Sequence, residues 1–312
     1  MTDLSVIIPV YNESENILNL YGRVTTVARS LNVSYEIILV NDGSKDDSLA
    51  QIKKLSLSDA GIKYISFSRN FGHQVAVSAG MDKSRGNAVV IIDADMQDPP
   101  ELISELYKKF SEGYDVVYAK RSRRKDRSIL KKAAYKLFYR ILARISSVSI
   151  PLDTGDFRII SRKVADVLKG MPEQQKFLRG QIAWIGFRQT FIEYEREQRA
   201  GGEPGYTYKK LFHLAMDGIT SFSNVPLRLA TIAGVFVSGI SFLLILYALY
   251  SYLFLGQTTP KGWTSLMVSI LFIGGIQLLS IGIIGEYISR LISNVRNRPL
   301  YIIDETNVDK EA

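Results

Sequence analysis

Three aspartates, Asp93, Asp95 and Asp98, follow a short apolar run in the segment VVIIDADMQDPPEL, which spans Val89–Leu102. The first two, Asp93 and Asp95, are two residues apart, so on extended backbone they point to the same side. Carboxylates held this close repel each other unless a cation lies near them, and oxygen ligands without histidine or cysteine suit Mg²⁺ or Mn²⁺. The spacing favours a divalent-cation site for a nucleotide diphosphate, with simple helix capping as the alternative.

A further carboxylate, Asp42, lies in the segment VNDGS, directly after an apolar run that ends at Val40. At the end of a strand it could accept hydrogen bonds from a base N–H and a ribose hydroxyl. Gly43 allows the chain to turn tightly behind it. Nucleotide binding and helix capping are both open for Asp42 on this pattern.

The elements that must position these residues alternate along the chain. Five short apolar runs are typical of buried strands: Ser5–Val10, Tyr35–Val40, Lys63–Phe67, Ala88–Ile92 and Asp115–Tyr118. Helical patterns lie between them, at Ser14–Leu31, Ser44–Leu57, Gly72–Ser84 and Pro100–Glu112. The alternation predicts an α/β fold with a mostly parallel sheet and helices on both faces.

Polar residues follow four of these predicted strands, at the edge where open α/β sheets bind ligands. They are Tyr11, Asn12 and Glu13; Asn41 and Asp42; Ser68, Arg69 and Asn70; and Asp93 and Asp95. Four such ends in register predict a binding crevice.

The composition argues against several other kinds of site. The chain has no cysteine, and its two histidines are His73 and His213, which disfavours thiolate sites, histidine-rich metal sites and Ser-His-Asp triads. Neither G-x-G-x-x-G after the first strand nor G-x-x-x-x-G-K-[ST] occurs, so a dinucleotide cofactor and a P-loop are disfavoured. The net charge of +8 points to a polyanionic partner: nucleic acid, a membrane surface or a phosphate-bearing substrate.

Two uncharged segments, Leu229–Leu255 and Trp263–Gly285, are each long enough to cross the roughly 30 Å hydrocarbon core of a bilayer. They predict a transmembrane hairpin, with buried core helices as the alternative. The N-terminus has no basic region before its apolar run, so we expect no signal peptide and a cytosolic first domain. Arginines on the outer flanks of the two uncharged segments predict that both termini lie in the cytoplasm, in a multi-pass protein of the inner membrane. They are Arg228, Arg290, Arg296 and Arg298.

A basic amphipathic pattern occupies about residues 127–146. Its basic stripe recurs at intervals of four, at Lys132, Lys136, Arg140 and Arg144. The pattern is typical of a helix in a membrane interface, with a solvated surface helix and a nucleic-acid patch as alternatives. The membrane spans and the acidic crevice fit nucleic acid poorly, so we expect no nucleic-acid partner. A second amphipathic helix is predicted just before the first span.

Several motifs resemble those of the family 2 glycosyltransferases that charge polyprenyl phosphates. They are SVIIPVYNE, ILVNDGSKD, SRNFG, DADMQDPPEL, TGDFR, and IGEYISRL followed by NRPLY. That family includes dolichyl-phosphate mannose synthases and bactoprenol glucosyltransferases, and the likeness to the latter is closer and spans nearly the whole chain. The resemblance implies a Rossmann-like GT-A domain, interface helices and two C-terminal membrane helices.

The resemblance also implies a set of site residues. Mg²⁺ or Mn²⁺ would be held mainly by Asp95 and Gln97, with Asp93 completing the set and supporting the nucleotide. The predicted donor-binding residues are Pro9, Tyr11, Glu13, Asp42, Asp93, Ala94, Asp95, Arg121 and Arg199. The acceptor phosphate is expected among cations, namely Arg121, Arg127, Lys131 and Arg199. The expected catalytic residues are Asp95 and Asp156.

Asp156, in the motif TGDFR, matches a carboxylate that the family places near the sugar. A phosphate monoester is about nine tenths dianionic near pH 7 and needs little help from a base. We therefore expect Asp156 to orient the sugar or to pair with Arg158, with a general base and a plain Asp–Arg clamp as alternatives. Gln174 stands where the family often has an arginine, so Lys176 or Arg179 would have to replace that contact.

The expected activity is inverting transfer of a hexose, preferably glucose from UDP-glucose, onto undecaprenyl phosphate. A GDP-mannose-dependent synthase, a UDP-aminosugar donor and a non-catalytic membrane adaptor that binds nucleotide sugars remain open. A processive polysaccharide synthase is disfavoured, because QIAW at Gln181–Trp184 lacks the arginine of Q-x-x-R-W.

The predicted divisions of the chain are a catalytic domain at 1–205, a juxtamembrane helix at 206–226, the hairpin at 227–292 and a cytosolic tail at 293–312. The expected partners are a nucleotide sugar, a polyprenyl phosphate and the membrane. Self-association is also open, because glycines in the second span could let helices approach closely. They are Gly274, Gly275, Gly282 and Gly285.

Overall fold

The computed structural model describes residues 2–122, 154–195, 225–254 and 262–308. The strands are β1 (Leu4–Val10), β2 (Tyr35–Asn41), β3 (Ile62–Phe67), β4 (Ala88–Ile91), β5 (Val116–Arg121), β6 (Thr154–Ser161), β7 (Gln189–Tyr194) and β8 (Ile303–Thr306). The helices are α1 (Ile17–Ser30), α2 (Ser48–Ser58), α3 (His73–Lys83), α4 (Leu102–Ser111), α5 (Arg162–Lys169), α6 (Leu178–Ile185), α7 (Val225–Phe254) and α8 (Trp263–Val295). The predicted interface helices, at 127–146 and 206–226, lie outside these ranges or nearly so.

The strands form one sheet in the order β7-β5-β6-β4-β1-β2-β3-β8. Strand pairs β1–β2, β1–β4, β2–β3 and β5–β7 are parallel, whereas β6 is antiparallel to both its neighbours and β8 is antiparallel to β3. The prediction of an α/β, mostly parallel, Rossmann-like sheet is confirmed. Strands β6, β7 and β8 were not predicted.

The central strands are buried on both faces, which explains their near-continuous apolar sequences. Two cores result, one on each face of the sheet. Helices α1 and α4 pack on one face, through residues such as Leu20 and Leu106. Helices α3, α5 and α6 pack on the other, through residues such as Met81 and Leu168. The sheet is thereby a rigid base from which its edge loops project.

The chain divides into two compact units. The first holds the sheet and its helices, together with the chain from Arg298 onward. The predicted tail at 293–312 therefore contains a strand of the catalytic sheet, β8. This pairing could not be read from the short, polar segment Ile303–Thr306 alone.

The second unit contains the helices α7 and α8, which contact each other. Among the described residues, the segment Phe272–Val295 has the length and the mean hydropathy, 1.4, of a membrane span. The first predicted span coincides with α7, and its crossing of a membrane stays a prediction.

Candidate active site

The parallel strands bring the polar loops to one edge of the sheet. Val10 of β1 pairs with Asn41 of β2, and Asn41 pairs with Ser66 of β3, so the residues that follow these strands emerge side by side. Strand β4 runs parallel to β1 and leads at the same edge to Asp93 and Asp95. The predicted donor residues of these loops therefore share one side of the domain.

Strand β6 reaches the same edge from the opposite chain direction. It pairs antiparallel with β4, with Ile91 opposite Arg158. Continuing this register by two residues places Asp156 opposite Asp93. Side-chain ligand atoms of His73, Asp93 and Asp156 all lie within 4.8 Å of one another. Residues from α3, β4 and β6 thus meet in one cluster.

His73, the first residue of α3, lies between the two carboxylates. Its Nε2 is 3.5 Å from Oδ1 of Asp93 and 3.4 Å from Oδ2 of Asp156. Burial lowers the pKa of His73, but the carboxylates of Asp156 and Asp93 outweigh burial and raise that pKa above its ordinary value. When protonated, the imidazole reduces the repulsion between the two carboxylates. Sequence reasoning missed this residue, because a lone histidine after SRNFG fits no histidine-rich metal pattern.

Asp156 is surrounded by hydrogen-bond donors. Its Oδ1 accepts from Nη2 of Arg158 at 2.8 Å and from Nε of Arg179 at 3.0 Å, and its Oδ2 accepts from Nε2 of Gln74 at 3.4 Å. Burial alone would raise the pKa of Asp156, but Arg179, His73 and Arg158 together hold it well below its usual range. Asp156 is therefore a stable anion and a weak proton acceptor.

Arg158 is fixed in place around this carboxylate. Its side chain is 1% exposed, and it also donates to the backbone carbonyls of Asp156 and Gly155 at 3.0 and 2.9 Å. The expected Asp156–Arg158 pair is thus present, and it is buried. Such a pair fixes the rotamer of the carboxylate. Removing either partner would be strongly destabilising, because it would leave an uncompensated charge in the protein interior.

The pKa of Asp93 is shifted in the opposite direction from that of Asp156. Burial raises the pKa of Asp93 to about 6; His73 opposes this shift, and the neighbouring carboxylates of Asp156, Asp98 and Asp95 add to it. Its Oδ1 is buried and accepts no hydrogen bond from the described residues. A carboxylate with an unsatisfied buried oxygen and acidic neighbours is suited to a cation.

Asp95 lies in a tight turn behind Asp93. Its Oδ1 accepts from the backbone N–H of Gln97 at 3.1 Å, and Met96 between them adopts a left-handed φ of 57°. Ala94 is buried against the core, which anchors the turn. The predicted metal residues Asp93, Asp95 and Gln97 therefore lie at alternate positions of one compact turn. Asp95 is not part of the His73 cluster.

The third carboxylate of this segment, Asp98, points to other partners. It is buried, accepts a hydrogen bond from the Tyr194 hydroxyl, and lies 3.6 Å from Nη2 of Arg121. Arg121 also donates from Nε to the Tyr194 hydroxyl at 3.3 Å. A Cβ at Gly155 would come within 3.0 Å of the Arg121 guanidinium, so this predicted phosphate contact borders the start of β6, next to Asp156.

Asp42 makes contacts that the sequence could not reveal. Its Oδ1 accepts from the backbone N–H of Phe71 at 2.7 Å and its Oδ2 from that of Gly72 at 2.9 Å. Burial raises the pKa of Asp42, while these two N–H groups act to lower it. From its position just after β2, the carboxylate thus binds the backbone that leads into α3, and its ribose contact stays a prediction.

The remaining predicted donor residues lie at the end of β1 and in the loop that follows it. Pro9 is buried within β1, and the Tyr11 residue is 44% exposed at the sheet edge. Glu13 accepts from Nδ2 of Asn16 at 2.6 Å.

Of the two candidates for the arginine missing at Gln174, Arg179 contacts Asp156, whereas Nζ of Lys176 donates to the carbonyl of Met171 at 2.6 Å. Arg127, Lys131 and Arg199 lie outside the described residues.

Comparison with known proteins decides the family. The Glycosyl transferase family 2 model matches residues 5–168, which include the Asp93–Asp95 turn and Asp156. The chain belongs to glycosyltransferase family 2. A second model, the GtrB C-terminal hairpin, matches residues 225–291, which contain α7 and most of α8. This family 2 glycosyltransferase therefore joins a catalytic domain to a hairpin of a known type.

Curated relatives match nearly all of this family 2 glycosyltransferase. The uncharacterized glycosyltransferase YkcC of Bacillus subtilis is 49% identical, over 97% of this chain and 93% of its own. The SfII prophage-derived bactoprenol glucosyl transferase of Shigella flexneri is 42% identical, over 97% and 98%. The prophage bactoprenol glucosyl transferase homolog of Escherichia coli K12 is 40% identical, over 96% and 98%. The sequence-based assignment to this family is confirmed, and the chain is a glycosyltransferase.

Proposed function

We propose that this enzyme transfers glucose from UDP-glucose to a polyprenyl phosphate, undecaprenyl phosphate, at the membrane surface. The observation that carries the proposal is the meeting of Asp93 and Asp156 at one sheet edge, beside the Asp95 turn and among arginines. The names of the bactoprenol glucosyl transferases support the lipid acceptor and the sugar. UDP is the preferred nucleotide, with GDP-mannose as the alternative donor.

A divalent metal, Mg²⁺ or Mn²⁺, fits the turn at Asp93. The buried, unsatisfied Oδ1 of Asp93 and the oxygen-rich neighbourhood match a hard cation. Asp95 and Gln97 would hold the ion together with Asp93. When bound, it acts as a Lewis acid that stabilises negative charge on a diphosphate.

The protein groups around Asp156 favour direct displacement. An oxygen of the acceptor phosphate forms a bond to the anomeric carbon while the bond from that carbon to the UDP β-phosphate oxygen breaks, which inverts the configuration. The dianionic phosphate has no proton to lose, so the weakly basic Asp156 is better suited to orient a sugar hydroxyl than to act as a base. Arg179 and Arg121 would supply positive charge to the phosphates.

The membrane half of the proposal assigns the hairpin to the inner membrane. Both α7 and α8 would span, with the catalytic domain (1–205) and both termini in the cytosol. The segments 127–146 and 206–226 would lie in the interface, with Arg127 and Lys131 of the first segment and Arg199 of the catalytic domain beside the lipid phosphate. This arrangement would place the reacting phosphate within reach of a cytosolic active site.

Purified protein, undecaprenyl phosphate and Mg²⁺ or Mn²⁺ should be incubated with a panel of UDP- and GDP-linked sugars. We expect UDP-glucose to give a β-linked glucosyl phospholipid, identified by mass and by digestion with an anomer-specific glycosidase. A mannosyl lipid from GDP-mannose would replace the proposed donor. Binding of nucleotide sugar with no lipid-dependent release of nucleotide would instead identify an adaptor.

A further inference from the structure

The end of the chain lies far in sequence from every predicted site residue but contacts the loop that forms the donor side of the site. Strand β8 pairs antiparallel with β3. Beyond the end of β3, the backbone N–H of Ser68 donates to the carbonyl of Ile302 at 3.1 Å. The polypeptide that follows the hairpin therefore borders the segment Ser68–Gly72, which we name the site loop.

The site loop must hold one position for the active site to form. Its last two N–H groups, on Phe71 and Gly72, donate to the carboxylate of Asp42, and the next residue is His73. The backbone of Gly43 also approaches the loop so closely that a Cβ there would lie 2.5 Å from the carbonyl carbon of Arg69. A displaced loop would move both Asp42 and the start of α3.

Tyr301 contacts the elements on both sides of the site loop. Its ring stacks on Phe67 at the end of β3, with the centroids 5.1 Å apart and the planes 20° apart. Phe67 in turn meets the ring of Phe71, inside the loop, edge-on at 5.6 Å. The Tyr301 hydroxyl donates to Oδ2 of Asp82 near the end of α3, at 3.1 Å. One side chain of the tail thus ties β3, the site loop and α3 together.

We propose that the C-terminal segment 301–306, which β8 anchors to the sheet, acts through Tyr301 as a positioning element for the donor site. It holds the site loop where its N–H groups meet Asp42 and where α3 presents His73 to Asp93 and Asp156. The identity of the donor rests on the proposed function; the positioning itself rests on the contacts of Tyr301 and the site loop. Tyr301 touches none of the groups proposed to bind substrate.

Full-length variants provide the test, with Asn307→Ala as a matched control. Asn307 joins β8 to β3 at the end away from the site loop: its Oδ1 accepts from the N–H of Tyr64 at 2.7 Å and its Nδ2 donates to the carbonyl of Ile62 at 3.3 Å. Tyr301→Ala removes the stacked ring and the hydroxyl. Tyr301→Phe keeps the ring and loses only the hydrogen bond to Asp82.

Hydrogen exchange of the Phe71 and Gly72 amides is the first readout, because it needs no turnover. We expect an acceleration of roughly 2- to 10-fold in Tyr301→Ala, the range that the loss of one aromatic pair gives, and rates near wild type in Tyr301→Phe and Asn307→Ala. Unchanged rates in Tyr301→Ala, or equal acceleration in Asn307→Ala, would contradict the proposal and mean that the C-terminal segment only covers the sheet edge.

The steady-state kinetics of UDP-glucose are the second readout. Tyr301→Ala should raise KM for the donor by roughly tenfold with a smaller change in kcat, and Tyr301→Phe should restore KM. A fall in kcat with an unchanged KM would contradict positioning of the donor side. If the wild-type enzyme does not use UDP-glucose, the proposed function fails, and the exchange rates still decide whether Tyr301 positions the loop.

Discussion

Nε of Arg179, in α6, donates to Oδ1 of Asp156 at 3.0 Å, and the same oxygen accepts from the buried Arg158. Arg158 is enclosed, whereas the Arg179 side chain is 32% exposed and can also face a ligand. Arg179 thus stands at the site although the family position in this segment holds Gln174. The sequence had left Lys176 and Arg179 equally open, and this contact favours Arg179.

Replacing Arg179 should therefore impair transfer. We expect Arg179→Ala to lower kcat/KM for the donor by roughly 10- to 100-fold, the effect of losing one charged hydrogen bond. Arg179→Lys should recover part of the loss, because the charge remains but the planar geometry does not. Arg188→Ala is the control, because this arginine lies beside the start of β5, away from Asp156, where its guanidinium is 4.7 Å from the ring of Tyr114. Equal rates in the alanine variants would remove Arg179 from the site.

The depressed pKa of Asp156 predicts the pH dependence of the rate. A carboxyl whose pKa lies well below 3.8 is already ionised throughout the range from about pH 5 to 8, so its protonation should produce no acidic limb in kcat. Asp156→Asn should lower kcat by roughly 10- to 100-fold as an orienting group is lost, with the shape of the profile unchanged. An acidic limb that disappears in Asp156→Asn would identify a general base instead.

Metal removal should abolish transfer if the Asp93 turn holds the ion. EDTA is expected to stop product formation, and added Mg²⁺ or Mn²⁺ to restore it. Asp95→Ala should lose at least about 100-fold in kcat/KM at saturating metal, whereas Asp304→Ala, an exposed carboxylate in β8, should not. Full activity of the wild-type enzyme in EDTA would eliminate the metal role.

We expect the protonated His73 side chain and a bound cation to compete for the negatively charged carboxylate of Asp93. His73→Gln removes the imidazole that lies 3.5 Å from Asp93, so we expect half-maximal activity at a several-fold lower Mg²⁺ concentration. The maximal rate should fall, because Asp93 and Asp156 lose the group between them. Titration of activity against Mg²⁺ at constant pH measures both effects. A raised Mg²⁺ requirement would mean that His73 supports the metal rather than opposing it.

Tyr194 should matter mainly for stability. Its hydroxyl donates to the buried Asp98 and accepts from Arg121, so Tyr194→Phe leaves a buried carboxylate short of a donor. We expect a cost of about 1–3 kcal/mol and a melting temperature lower by several degrees. Tyr118→Phe loses a hydroxyl bond to the neutral side chain of Gln189 and should cost less. Equal melting temperatures for the two variants would contradict this ranking.

The sequence was informative where local patterns decide structure. The Asp93–Asp95 turn and the edge residues after β1 to β4 follow from short motifs at strand ends, because they depend on neighbours in sequence and on the known geometry of parallel sheets. The Asp156–Arg158 pair was expected only from the resemblance of TGDFR to a family motif, because no strand was predicted there.

Long-range pairing was beyond the same reasoning. The antiparallel register that sets Asp156 opposite Asp93 depends on β6, which follows a segment with no strand pattern. The contacts of Asp42 involve backbone N–H groups of Phe71 and Gly72, which carry no signature in side-chain chemistry. The docking of Tyr301 depends on a strand of only four residues, too short to predict from periodicity.

Strands β5 and β6 lie side by side, and Lys120 near the end of one is paired with Thr154 at the start of the other. The chain from 123 to 153 thus leaves the sheet and returns to it at adjacent points. Because both attachment points lie in the paired strands β5 and β6, we expect changes in the length or composition of residues 123–153 to leave the register that sets Asp156 against Asp93 unaltered. If residues 123–153 contact the acceptor, as the proposed function has it, chimaeras that exchange only this segment among relatives should change the acceptor and keep the donor.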